Sequence, residues 1–218
     1  MMDRLEAIGE RILSYLEGKN GARDAALQRS RTLIRHSATA IRAAHRQERE
    51  LAREHLDQAK TITEELRTDL TYYPDLYHAG YTQDAFKEYA EASIVFALLG
   101  NDPLPDPDEL GVEYAAYLGG LGEAVGELRR RTLDILRQAH SADAERLLEA
   151  MDEIYGLLVT VDYPDAITGN LRRTTDLVRG LVERTRGDLT TSLQQESLRA
   201  ALDSVEKKLA PRPGEGKA

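Results

Sequence analysis

Apolar residues recur at three- and four-residue intervals along almost the whole chain, and the places where that rhythm fails mark the ends of helices. From about Asp3 to His45 the spacing is kept by Leu5, Ile8, Ile12, Leu16, Leu27, Ile34 and Ile41. Gly18 to Gly21 interrupts this run and predicts a bend. A second helix is expected from about Gln47 to Leu70, ended by Tyr72-Tyr73-Pro74 because the residue before a proline is pushed out of helical geometry. Thr82 is placed to cap a third, whose apolar face starts at Ala85 and which ends at Gly100. Asn101 to Asp108, with prolines at 103, 105 and 107, reads as a loop. A fourth helix is expected from about Gly111 to Ala139 and a fifth from an N-cap at Ser141 to near Tyr155-Gly156. Tyr163-Pro164 marks a turn, and the last helix runs from about Ile167 to Leu209. Leu157-Leu158-Val159-Thr160-Val161 is the nearest approach to a strand, and it also reads as a helix end. The class is therefore all-α, one domain over residues 1–209, followed by a frayed, disordered tail at 210–218.

Two of these helices would exceed forty residues and stand about 60 Å tall, roughly twice a small domain, which predicts partners in other subunits. A length of 218 residues is enough to bury a real core. The absence of cysteine excludes disulfide frameworks, thiolate metal sites and cysteine nucleophiles. Five histidines scattered singly give poor support for zinc. The start, Met1-Met2-Asp3-Arg4-Leu5-Glu6, has acids where a secretory signal would be basic, and the longest apolar run, Ala92 to Leu99, is under half a membrane span. A soluble, cytoplasmic protein is expected, with no membrane partner. The net charge of -9 does not exclude a nucleic-acid partner, because binding depends on where the basic residues sit.

Three constellations carry candidate chemistry. Glu88 with Glu91, and Glu123 with Glu127, are pairs three or four apart, so each pair projects from one side of its helix. Two such helices face to face would aim four acids at one point, a donor set suited to a hard divalent cation such as Mg²⁺. Solvated helix surface is the competing reading, since Glu-x-x-Glu is a common accident in a glutamate-rich chain. Gly119, Gly120, Gly122 and Gly126 cluster on the same stretch as Glu123 and Glu127. Each costs roughly 1 kcal/mol against alanine in a helix, so close approach of another backbone is expected there. Finally, if one helix continued from the first run into the second, Arg31, Arg35, Arg42, Arg46, Arg49, Arg53 and Lys60 would fall within an arc of about 60°, with Glu48, Glu50, Glu54 and Asp57 outside it. Such a ridge suits a nucleic-acid backbone, where each phosphate contact releases counterions. His36 and His45 lie close to it and read as structural or phosphate-contacting.

Familiar helical metal patterns fit poorly. The ferritin-type Glu-x-x-His is absent, since none of the four acids has a histidine three residues on. Helical nucleotide pyrophosphohydrolases pair Glu-x-x-Glu with Glu-x-x-Asp, whereas Glu123 is followed by Gly126 and Glu127 by Arg130.

Glu88-Tyr89-Ala90-Glu91-Ala92, taken with Tyr117 to Arg130, resembles the translin and Trax family, and the Trax-like branch in particular. There the first motif reads Glu-Tyr-Val-Glu-Ala and the second Asp-Tyr-Leu-Leu-Gly-Val-Ala-Asp-Leu-Thr-Gly-Glu-Leu-Met-Arg. The likeness extends more loosely over nearly the whole chain. It implies a translin-like bundle of about six or seven long helices, assembling into a closed homo-oligomer, typically an octamer, with RNA inside. It also implies a metal-dependent endoribonuclease that hydrolyses phosphodiesters with water bound to Mg²⁺ (or Mn²⁺). Glu88 and Glu91 match two of the family's three catalytic acids. Glu123 stands where the third is an aspartate, keeping the charge on a longer arm. Glu127 matches a further glutamate that would be a fourth metal ligand, and Arg130 matches an arginine that would contact phosphate. Arg31, Arg35, Arg42, Arg46 and Arg49 would bind the RNA. The alternative is a non-catalytic translin-like protein that binds RNA or single-stranded DNA; a nucleotide pyrophosphohydrolase is a third reading.

Overall fold

The computed structural model describes residues 2–137 and 141–209. All regular structure in it is helical, in the order α1 (Met2–His45), α2 (Arg49–Asp69), α3 (Pro74–Tyr77), α4 (Gly80–Gly100), α5 (Pro107–Leu110), α6 (Tyr114–Leu136), α7 (Ser141–Thr160), α8 (Asp165–Thr168) and α9 (Leu171–Leu209). The all-α reading holds, and the segment around Leu157 is the end of α7. The disordered tail expected at 210–218 and the end of a helix at Ala139 lie outside the described residues.

α4 is the axis of the bundle. Its composition is unusually apolar, and Phe86, Ala90, Ile94 and Val95 are wholly buried, so it is enclosed on most sides. α1 packs on one flank and α6 on the other, with α2 against α1, and α7 and α9 against α6. α6 turns Ala116, Tyr117, Gly120, Leu121, Ala124, Val125, Leu128 and Thr132 inward at helical spacing. From α1, Ala26, Leu33, Ser37 and Ala40 meet the core. One apolar cluster thus runs continuously from Ala26 to Leu189.

Four expectations are corrected. α1 is helical straight through Gly18 to Gly21, where no break occurs; a Cβ at Gly18 would already lie 3.4 Å from the Tyr73 hydroxyl. Thr82 does not cap α4, which begins at Gly80; its buried hydroxyl donates to the Leu76 carbonyl at 2.8 Å, tying α4 to the α3 turn. Within the proline loop, Asp106 and Glu109 form a reciprocal capping box around the single turn α5. The last helix starts at Leu171, because Gly169 and Asn170 take left-handed φ values of 61° and 67° and separate α8 from α9.

Both long helices outrun the core. Leu5, Ile12, Leu13 and Leu16 near the start of α1 are exposed, as are Leu198, Leu202 and Val205 near the end of α9. None of the described helices is long and apolar enough to cross a membrane.

Candidate metal centre

The site grows out of the crossing of α4 and α6. A Cβ built on Gly120 would lie 2.8 Å from the backbone nitrogen of Glu91, 2.9 Å from Ala90 Cβ and 3.0 Å from the Lys87 carbonyl oxygen. Only glycine fits there. Gly119 gives room to the stem of Lys87, and Gly122 to Thr174 of α9. Gly126 has nothing within 4 Å, so the close backbone approach expected of the cluster occurs at Gly120, while Gly119 and Gly122 make room for side chains. Gly120→Ala is therefore expected to destabilise the chain by about 2 kcal/mol, overpacking outweighing alanine's advantage in a helix, whereas Gly126→Ala is expected to stabilise it by up to about 1 kcal/mol. Urea unfolding of the two variants checks the contrast.

That contact brings the acids together. One carboxylate oxygen from each of Glu88, Glu91 and Glu123 lies within 4.8 Å of the others. Glu91 is 9% exposed, Glu88 partly buried and Glu123 exposed, so the trio forms a pocket with a floor and an open side. Burial, with the charges of Glu88, Glu123 and Glu127 added, pushes the Glu91 carboxyl up to about 8. Glu88 is raised as well, by burial first and then by Glu123. Lys87 is the local cation: its Nζ lies 2.6 Å from Glu123 and 3.9 Å from Glu88. Burial pulls Lys87 down, but its bond to Glu123 and the neighbouring negative charges more than restore it.

Glu127 stands next to this trio and outside it. Its Oε2 is 2.5 Å from His45 Nε2, at the end of α1, and 3.6 Å from Arg130. The His45 bond, helped by Arg130, holds the Glu127 carboxyl below its usual range. His45 Nδ1 is buried without a hydrogen-bond partner among the described residues. His36 meets His55 of α2, Nδ1 to Nδ1 at 3.0 Å, so one of the two rings donates to the other in a contact between α1 and α2. Burial, the His55 charge and Arg35 hold His36 down.

The donor set suits a hard cation. Three carboxylates at metal–oxygen distances near 2.0–2.1 Å would sit about 3–4 Å apart, which requires only side-chain adjustment from the arrangement found. Glu91 accepts no hydrogen bond among the described residues, and its burial beside other acids favours the protonated carboxyl, a state that a bound cation would reverse. The exposed side at Glu123 leaves positions for water and for a substrate oxygen. Neither thiolate nor free imidazole stands in the trio, which disfavours softer metals.

The seven-residue basic ridge does not exist as one face. Arg46, Gln47 and Glu48 form a turn, with Gln47 at a φ of 63°, and α2 folds back along α1. Arg46 makes a two-pronged bond to Glu48, and Arg49 bonds Asp102 while its guanidinium lies 4.3 Å from the Phe96 ring centre. Arg53 also approaches that ring, and Lys60 lies exposed on α2. Arg31, Arg35 and Arg42 remain as an exposed row on α1, none paired with an acid among the described residues. Arg130 is exposed beside Glu127. Lys87 is the member of the site that spacing along the chain does not reveal, for residues adjacent in a helix project about 100° apart.

No protein-family model matches the chain. An uncharacterized protein of Methanocaldococcus jannaschii is 30% identical over 198 residues, spanning 89% of this chain and 87% of its own. Among solved structures, AfC3PO in complex with duplex RNA superposes with a TM-score of 0.79 at 32% identity, over 88% of this chain and 97% of that one. AfC3PO alone gives 0.78 at 33% identity, over 88% and 98%. Apo-NeC3PO, at 19% identity and a TM-score of 0.76 over 85% and 96%, shares the fold.

Proposed function

This chain belongs to the translin/Trax family, and from that premise we propose that it is a metal-dependent endoribonuclease that works as a closed homo-oligomer, an octamer on the family pattern. The observation that carries the reading is the convergence of Glu88, Glu91 and Glu123 around a nearly buried carboxylate with no partner of its own. Duplex RNA bound to a relative 32% identical supports RNA as the substrate class. Exposed leucines, isoleucine and valine at the free ends of α1 and α9 supply apolar surface that further subunits would cover.

In this reading Glu88, Glu91 and Glu123 hold Mg²⁺ (or Mn²⁺), which when bound supplies charge neutralisation at phosphate and a water acidic enough to attack. Glu91, on the buried floor, fixes the depth of the site. Glu123 stands at the open side, where the nucleic acid would enter. Glu127 is held by His45 and Arg130, so its part is to add negative potential beside the trio. Arg130, 59% exposed at its side chain, is free to turn toward a phosphate.

Arg31, Arg35 and Arg42 are the arginines we assign to the phosphate backbone, with Arg46 and Arg49 contributing after release from Glu48 and Asp102. Arg35→Gln with Arg42→Gln is expected to weaken duplex RNA binding and to flatten its logarithmic salt dependence by about 2, near 0.9 per lost phosphate contact. Fluorescence anisotropy from 50 to 200 mM salt measures it; an unchanged slope would leave the row a solvated surface.

The function itself is tested with end-labelled single-stranded and duplex RNA, incubated with Mg²⁺ or with EDTA. Internal cleavage that needs the metal is expected. Tight binding with no cleavage in Mg²⁺ or Mn²⁺ would instead leave a non-catalytic RNA- or single-stranded-DNA-binding protein.

A further inference from the structure

Among the described residues, Lys87 is the side chain whose cationic end reaches two of the three converging acids. Helix geometry alone would not put it there. Its stem crosses α6 at Gly119, where an added Cβ would lie 3.1 Å from both Cγ and Cδ, and its ammonium arrives at Glu123, four residues further along the same face. The glycine is thus the groove in which the lysine lies. Its side chain is 26% exposed and ends at the exposed acid of the trio, Glu123.

A divalent cation held by Glu88, Glu91 and Glu123 would compete for the carboxylate oxygen that Nζ now contacts at 2.6 Å. Two cations that close repel strongly in a partly buried site. The lysine must move as the ion enters, and the flexible stem lets it do so without disturbing the crossing. A phosphate at the open side is a suitable new partner for a point charge of this kind.

Resting on the reading of the acids as a cation site, we propose that Lys87 is a resident counter-ion that releases Glu123 when a divalent cation binds and then takes a phosphate of the bound RNA, so that cation and RNA bind cooperatively. Lys87 is in this sense a coupling residue, and its effect is reciprocal: RNA tightens the ion, and the ion tightens RNA.

The test is Mn²⁺ binding followed by electron paramagnetic resonance, on the full chain as wild type, Lys87→Met and Lys87→Gln. Each is measured with and without a phosphorothioate-linked 2′-O-methyl RNA duplex that resists cleavage. Without RNA, both variants are expected to bind Mn²⁺ about tenfold more tightly than wild type; adding RNA should tighten binding by wild type about five- to tenfold more than by the variants, within the usual span for linked sites. Equal or weaker Mn²⁺ affinity in both variants, or an RNA effect as large as in wild type, overturns the counter-ion role while leaving the cation site standing. Wild type that binds no Mn²⁺ removes the cation reading and this inference together. Glu91→Gln, expected to lose Mn²⁺ binding in either background, identifies the acid site as the one being measured.

Discussion

Glu91→Gln is expected to lower Mg²⁺-dependent RNA cleavage by at least about a thousandfold, because a bound metal supplies several kcal/mol of charge stabilisation and each 1.4 kcal/mol is a factor of ten in rate. Glutamine keeps the shape and removes the charge at the buried floor of the site. Glu88→Gln should follow closely, since Glu88 is partly buried in the same trio. Glu123→Gln should cost less, on the order of ten- to a hundredfold, for Glu123 is exposed and already shared with Lys87. RNA affinity provides the control. Titrated in EDTA, where no ion couples to RNA, removing a negative charge near a phosphate should leave binding equal or slightly tighter, so a variant that loses cleavage and keeps this metal-free binding has lost chemistry alone. Single-turnover cleavage rates beside anisotropy titrations would show this, and equal residual cleavage in wild type and all three variants would end the nuclease reading.

The second large effect concerns stability without metal. Glu91 ionises near 4.5 in an unfolded chain and at about 8 in the folded one, so the folded state holds its proton through that window. A group raised in this way stabilises fully below the unfolded value, and its contribution disappears as pH climbs to the folded value. At about 1.4 kcal/mol per pKa unit this amounts to at most on the order of 5 kcal/mol between pH 4.5 and 8. Glu88, also raised, acts in the same direction. Glu127 is lowered and acts oppositely, its contribution being lost only as pH falls through its depressed value. Urea midpoints in EDTA should therefore fall from pH 5 to pH 8 in wild type and change much less in Glu91→Gln. Millimolar Mg²⁺ or Mn²⁺ should restore the wild-type midpoint at pH 8, since ion binding favours the ionised acids. Parallel pH profiles for wild type and Glu91→Gln would show that the floor of the site is not strained.

Which of these features the sequence makes legible depends on how local their causes are. The order of the long helices and the facing of Glu88 with Glu91 follow from three- and four-residue spacing, a property of one helix. The meeting of α4 with α6 is signalled by the costly glycines, of which Gly119 and Gly120 lie at that crossing, whereas Gly122 faces α9 and Gly126 faces nothing. By contrast, spacing ends one helix at His45 and starts the next near Gln47, but Arg46, Gln47 and Glu48 include neither glycine nor proline to announce a reversal, and Gln47 takes its left-handed conformation where α2 turns back. The basic ridge, which needs one helix running through that stretch, is lost to the reversal that lays α2 along α1. Glu127 shares a face with Glu123, yet its carboxylate goes to His45, 82 positions earlier in the chain. Lys87 needed both its groove at Gly119 and its partner at Glu123, on another helix, to be placed at all.

The contact at Gly120 also decides when electrostatic work is done. Three carboxyl groups are brought together as the polypeptide collapses, because α4 and α6 cannot pack without delivering them, and the proton kept by Glu91 and the ammonium of Lys87 offset the repulsion. On the metal-centre reading, an arriving ion would find its donor residues already gathered, with only side chains left to adjust. Its capture would then wait on the shedding of its own hydration shell, which Mg²⁺ does reluctantly, and on displacement of the Lys87 ammonium and the Glu91 proton, not on movement of the helices.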